Sequence, residues 1–407
     1  MTEWIATRAE GERRLAYFQP RMGRRYANGR NTDFGPGGHS AVSCLSPYIR
    51  RRLVLEQDVV AAALAEHGPE QAEKFMQEVI WRSYFKGWLE RRPQVWDNYV
   101  QGLHADLAAL ERDRRLRRDI KHATDGTTGL GCFDAWAAEL VETGYLHNHQ
   151  RLWLASYIVH VRKIDWRVAA QWMQGHLLDG DVASNWLNWQ RVAGLAGDPP
   201  WVFNAETVAR HAPADWHSRG SMIDKPIEMM EIMAHNAASF TISEELKRIP
   251  WAMSEPELLH RPPALLDWQS PDPQAWAGRD VWLVHPWSLA ALPSDLPSGV
   301  VAVGLWCEEW MQAMPWSFKR WMFVAQRMGA LAPVCAFGSA TDWQTALSQA
   351  SSVACWDHPR LPAWTGLAVQ RRSPARLFKS LDEPCLSFTA WWQQVSSGVR
   401  HFRHLAA

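Results

Sequence analysis

Between Gly144 and Gly194 the chain reads GYLHNHQRLWLASYIVHVRKIDWRVAAQWMQGHLLDGDVASNWLNWQRVAG, and its charges fall where a helical core should be apolar. Arg151 interrupts the run Leu152, Ala155, Ser156, Val159, the spacing of a helix face packed inside. Asp179 and Asp181 bracket one glycine at the end of the next amphipathic segment. Asn185 and Trp189 follow at i, i+4 and share a face of a third helix. A buried charge is costly unless paired, so Arg151 is predicted to meet Asp179 across two helices. Two arrangements satisfy that demand: an internal salt bridge alone, or one beside a polar planar ligand.

The chain has 407 residues, enough for two or three domains. No apolar run is long enough to span a membrane, and the charged start MTEWIATRAEGERR has no signal-peptide character. Six cysteines stand far apart without a CxxC, which argues against a zinc ribbon or disulfide framework. His147 and His149 lack a third ligand nearby, so no metal is expected. A reduced, cytoplasmic, monomeric protein is the expectation. Net charge is zero, yet arginines cluster at 21–30, 50–52 and 112–118. Each cluster reads as a solvated helix face or as a surface that tracks phosphates. Tryptophan, at 26 residues, exceeds ordinary core usage, so a few rings are available for electron transfer or base stacking.

A helix is predicted around Ala9–Phe18, then a Gly-rich loop over Asn28–Gly38. Ser46-Pro47 reads as an N-cap with proline at the first helical position. A helix over 70–92 places Glu78, Trp81 and Arg82 on one face. Another helix carries Phe133, Trp136 and Leu140 and stops at Gly144. Prolines 262, 263, 271 and 273 mark a linker. Beyond it, the apolar runs 281–285, 300–306, 333–338 and 352–356 alternate with helices at 317–330 and 342–349. That alternation predicts a small parallel sheet.

The succession GYLHN, a spaced Arg, AS, DW, LLDGD, ASN and WQ resembles the flavin-binding core of the DNA photolyase and cryptochrome family. The resemblance implies a mainly α fold: a helical FAD-binding domain plus a small C-terminal α/β domain with a parallel sheet. It implies boundaries at 1–265 for the FAD- and lesion-binding domain, 266–280 for a linker and 281–407 for the α/β domain with a C-terminal helical segment. By resemblance, FAD is held by Arg151, Asp179, Asp181 and Asn185, with Tyr26, Arg30, Ser43, Leu45 and Ser46 at its diphosphate. The segment E-x-x-W-R places Glu78 and Trp81 in a lesion pocket with Asn148, Leu152 and Arg191. Trp189 and then Trp166 would feed electrons to the flavin, and the family's third ring has no counterpart in 101–122.

The implied activity is blue-light repair of cyclobutane pyrimidine dimers, with catalytic roles for Glu78, Asn148, Trp189 and Trp166. The implied partner is UV-damaged DNA. Arg191 stands where a second tryptophan of the lesion clamp is usual, which would favour single-stranded DNA. Val42 replaces a frequent threonine before Ser43. The alternative implied by the same family is a cryptochrome-like photoreceptor without repair. The antenna chromophore is not indicated. The α/β segment resembles the family's antenna domain, which normally precedes the flavin domain. A circular permutation and an unrelated appended domain both account for its place here.

Overall fold

The computed structural model describes residues 3–396 apart from 198, 237–252, 255, 380, 382, 384 and 386. Helices come first: α1 (Arg8–Phe18), α2 (Arg24–Gly29), α3 (Ser46–Arg50), α4 (Glu56–Glu90), α5 (Pro93–Arg112), α6 (Arg114–Thr124) and α7 (Gly131–Thr143). Then follow α8 (Asn148–Ser156), α9 (Trp166–His176), α10 (Val182–Val192), α11 (Ala205–His211) and α12 (Ile227–His235). Thr7 caps α1 by accepting from the Glu10 amide. Within α4, Gly68 leaves helical geometry at φ 70° and Pro69 restarts the helix, so two helices meet at a kink. Gly144 ends α7 in the left-handed region at φ 70°. A β-carbon there would also lie 2.8 Å from Leu178 Cγ, so glycine is required twice over.

The second half holds α13 (Pro273–Trp276), β1 (Asp280–Val284), β2 (Val301–Cys307), α14 (Glu308–Gln312) and α15 (Phe318–Leu331). It continues with β3 (Val334–Gly338), α16 (Ala340–Leu347), β4 (Ser352–Trp356), β5 (Val369–Arg372) and α17 (Phe388–Val395). All five strands form one parallel sheet in the order β3-β2-β1-β4-β5. The expected parallel sheet is therefore present, with β5 as an unforeseen edge. Both sheet faces are covered, which explains why the strands read as continuous apolar runs. Trp282, Val284 and Trp306 pack toward the helical body, whereas Val281, Leu283 and Leu305 pack with Trp343 of α16.

One hydrophobic core joins the two halves. It contains Tyr48, Val59 and Leu178 from the helical part together with Trp282, Trp306 and Trp321 from the sheet part. Segment 266–280 is packed as well: the Trp268 ring lies 5.7 Å from that of Trp306. Tryptophan abundance is largely structural, as in the Trp276–Trp343 and Trp306–Trp321 stacks. Among the described residues, no helix is long and apolar enough to cross a membrane.

Candidate functional site: a loop of two aspartates gripped by arginines

The site is built on the turn before α8 and the loop between α9 and α10. His147 caps α8 by accepting from the His149 amide, and Gln150 Oε1 accepts from the His147 amide. This box fixes the first turn of α8 and aims Arg151 at the next loop. Arg151 donates to Leu146 O at 3.1 Å and grips Asp179 with both ends of its fork, at 2.7 and 3.3 Å. The pair predicted from the sequence is thus formed. Arg151 Nη1 also donates to Asn185 Oδ1 at 3.2 Å, and Asn185 Nδ2 donates to Gln174 Oε1 at 3.0 Å. Gln174 in turn donates to Gly180 O, closing a chain of polar contacts around the loop.

Asp181 precedes α10 without capping it. Its carboxylate is spent on Arg82, at 2.8 Å, and Arg50, at 3.7 Å. Glu56 shares this cluster with Arg82 and Lys86. Burial would raise both aspartates, but the facing guanidiniums override it. Arg151, helped by the Ser46 hydroxyl, holds Asp179 at about 2, and Arg82 and Arg50 hold Asp181 below the usual carboxylate range. Both are ionised at neutral pH.

The expected diphosphate residues gather in the first sixty residues. Tyr26 is buried edge-on to Phe75, and Arg30 lies 3.8 Å from Glu78. Leu45 is buried, and its amide donates to Ser43 Oγ at 3.4 Å. Ser46 corrects the sequence reading. Leu45 occupies the N-cap position and Ser46 is the first helical residue. The helix is only five residues long and the Ser46 hydroxyl faces Asp179 instead of the backbone. The 50–52 arginine run is also corrected: Arg50 and Arg51 are buried, neither a solvated face nor a surface track.

Toward the surface, Asn148 and Arg191 are exposed and Leu152 is half-buried. Glu78 is exposed, with half of its side chain open to solvent, and partial desolvation by neighbouring protein raises its pKa. Trp81 is not free on both faces: Phe388 of α17 stacks on it at 3.9 Å and 15°. His147 and His149 are held uncharged by burial, at about 3 and about 4. Trp189 and Trp166 are both buried. Ring contacts lead from Trp166 to Tyr99 at 5.5 Å, then to Trp186 at 3.8 Å and Trp96 at 4.2 Å. Tyr99 lies just before the segment in which no third ring was found.

Sequence reasoning missed Gln174, Glu56, the buried Arg50 and Arg51, and Arg320 of α15. A fully polar Gln174 beside Trp172 and Met173 was the one local signal. The others are defined by long-range contacts.

Residues 75–257 match the family model described as the FAD binding domain of DNA photolyase. Over that segment, less than half of the chain, the sequence is similar to the photolyase and cryptochrome family. FAD is the cofactor such a domain takes. The chain is 33% identical over 207 residues to a chloroplastic/mitochondrial cryptochrome DASH of Ostreococcus tauri, covering 50% of this chain and 36% of that one. It is 33% identical over 180 residues to a deoxyribodipyrimidine photo-lyase of Streptomyces griseus, covering 42% and 37%. A bacterial class III photolyase structure from Agrobacterium tumefaciens aligns at 25% identity over 60% of this chain and 52% of that one, with a TM-score of 0.45. The chain spans less than half the length of the curated relatives it matches.

The polar groups fit FAD. The Nε atoms of Arg30 and Arg50 and both Nε and Nη2 of Arg82 are buried without hydrogen-bond partners. The Arg50 and Arg82 groups lie near Asp181 and Glu56 as ion pairs, yet these N–H groups make no hydrogen bond, which leaves donors that suit an anionic diphosphate. The hydrogen-bonded Arg151–Asp179–Asn185 array offers the donors and acceptors that the edge of a heterocyclic ring requires.

Proposed function

We propose that this protein is a DNA photolyase that splits cyclobutane pyrimidine dimers in blue light. The observation that supports this best is the meeting of two sets. The Arg151–Asp179–Asn185 and Arg82–Asp181–Arg50 clusters lie inside, and Asn148 and Glu78 lie at the surface. Bound FAD supplies the photochemistry, light-driven electron transfer to the lesion. The chain's residues bind and orient. Arg151, Asp179, Asp181 and Asn185 fix the ring system, while Tyr26, Arg30, Ser43, Leu45 and Ser46 line the side assigned to the diphosphate. Glu78 and Asn148 present hydrogen-bonding groups to an extruded pyrimidine dimer, and Trp81, Leu152 and Arg191 form its walls. An aromatic wall returns roughly 1–3 kcal/mol per base toward the cost of unstacking. Trp189 and Trp166 serve the electron supply, with Tyr99 as the adjoining ring. Single-stranded damaged DNA is the favoured substrate, because Arg191 replaces one aromatic wall. The parallel-sheet domain, proposed at 281–407, is read as the family's antenna domain in permuted order.

A second reading has one observation in its favour. Phe388 already covers a face of Trp81, as suits a cryptochrome-like photoreceptor whose pocket is closed by its own chain. A repair assay on dimer-containing oligonucleotides separates the two. Repair in light and none in darkness supports the photolyase. A flavin-loaded protein that repairs neither single- nor double-stranded substrate supports the photoreceptor.

A further inference from the structure

Arg320 reaches the aspartate loop from the opposite half of the molecule. It stands in the first turn of α15, after the cap Ser317, and is 2% exposed. Its guanidinium donates to the main-chain carbonyls of Gln174 and Gly180. The same group lies 3.9 Å from the centre of the Trp316 ring. Arg51 approaches that ring at 5.0 Å and donates to Leu178 O and Pro286 O. Among the described residues, no carboxylate lies within ion-pair distance of Arg51 or Arg320. Gly180, at φ 38°, has no room for a β-carbon against Arg320.

We propose that Arg320 is a positioning residue of the flavin site, through which the sheet domain sets the places of Asp179, Asp181 and Asn185. This rests on reading that cluster as the FAD site. Gly180 separates the two aspartates, and its carbonyl is shared by Arg320 and Gln174. Gln174 accepts from Asn185, so Arg320 is one contact from the loop and two from the asparagine. A planar fork bridges two carbonyls in a fixed geometry, which a lysine ammonium does not reproduce. Removing it takes this donor from Gln174 O, leaves Gly180 O to Gln174 alone and frees the loop to turn. A binding constellation held by its supporting contacts loses geometry when that support is removed. The sheet domain is then part of the cofactor site and not an appendage to it.

The test uses the full chain, stripped of flavin and titrated with FAD, with visible circular dichroism of the bound flavin and melting of the flavin-free protein. Arg320→Gln is expected to weaken FAD binding at least tenfold and to change the flavin dichroism. Arg320→Lys is expected to recover part of the affinity. Arg327→Gln is the control. Arg327 lies on the same helix and donates to Leu289 O, away from the loop. It should stay within twofold of wild type. If Arg320→Gln does not fold, Arg320→Lys decides. At least threefold weaker binding with altered dichroism supports the proposal, and wild-type affinity overturns it. Binding of Arg320→Gln within twofold of wild type with unchanged dichroism overturns it too. So does an equal loss in Arg327→Gln, which would assign the effect to general loosening of the sheet domain. A wild type that takes up no FAD fails the site reading itself, and this inference falls with it.

Discussion

The loop Leu177–Asp181 is held on two faces by different chemistry. On the face toward α8 and α4, each cation meets a carboxylate: Arg151 on Asp179 and Arg82 on Asp181. On the face toward the sheet, Arg51 and Arg320 rest on carbonyl oxygens and on the Trp316 ring. Both faces are buried, so the difference is one of charge balance. The first face is nearly neutral and sets direction, since a bidentate pair fixes angle as well as distance. The second adds positive charge behind the loop without tying up an acid. A site of this kind keeps its aspartates ionised and still favours an anionic ligand.

Breaking the carboxylate face should have the largest effect. Asp179→Ala leaves Arg151 buried without its partner, at a cost of roughly 3–5 kcal/mol. The expected outcome is loss of bound flavin and a lower denaturation midpoint. Asp181→Asn keeps the shape but removes the charge facing Arg82 and Arg50, and a cost of about 1.5–3 kcal/mol is expected. Comparing the two by chemical denaturation sharpens the contrast between an aspartate held by one bidentate arginine and an aspartate shared by two arginines.

Titration separates the two classes of buried group. Asp179 sits at about 2, below its unfolded value of about 3.9. Its contribution is therefore present above about pH 4 and lost as pH falls through about 2. His147 is held at about 3 by burial, below an unfolded value of about 6.5. The unfolded chain takes up that proton first, so stability declines as pH falls from about 6.5 toward 3. Denaturation midpoints at pH 7, 5 and 3 should fall in wild type. His147→Gln should flatten the upper part of that slope and leave the part near pH 3 in place.

The paired face was legible in the sequence, and the other was not. Arg151 stood in an apolar periodic run, which demands a partner, and the spacing to Asp179 supplied one. The four strands at 281–285, 300–306, 333–338 and 352–356 were legible for a similar reason: apolar runs between helices have few other uses. Ser46 was misread because a serine before proline usually caps, and nothing local shows that Asp179 waits across the fold. Arg50 and Arg51 were misread because runs of charge normally face water. Arg320 gave no signal at all. It follows Lys319 on an ordinary amphipathic helix, and its partners lie 140 and 146 residues away. The stack of Phe388 on Trp81 is likewise a long-range contact.

Substitutions outside the loop should have the smallest effect on stability. Glu78→Ala and Asn148→Ala alter exposed groups and should change it by less than about 0.5 kcal/mol. Light-dependent repair by the double variant should nevertheless fall, with the flavin spectrum unchanged. Repair at the wild-type rate would remove both residues from the lesion pocket.

The most direct measurement is the amount of FAD carried by the purified full chain and by its Asp179→Ala variant, read from visible absorbance and from the flavin released on denaturation. One FAD per chain in wild type and almost none in the variant is the predicted result. A wild type without flavin, or a variant that keeps its full complement, would contradict a cofactor site built on this loop.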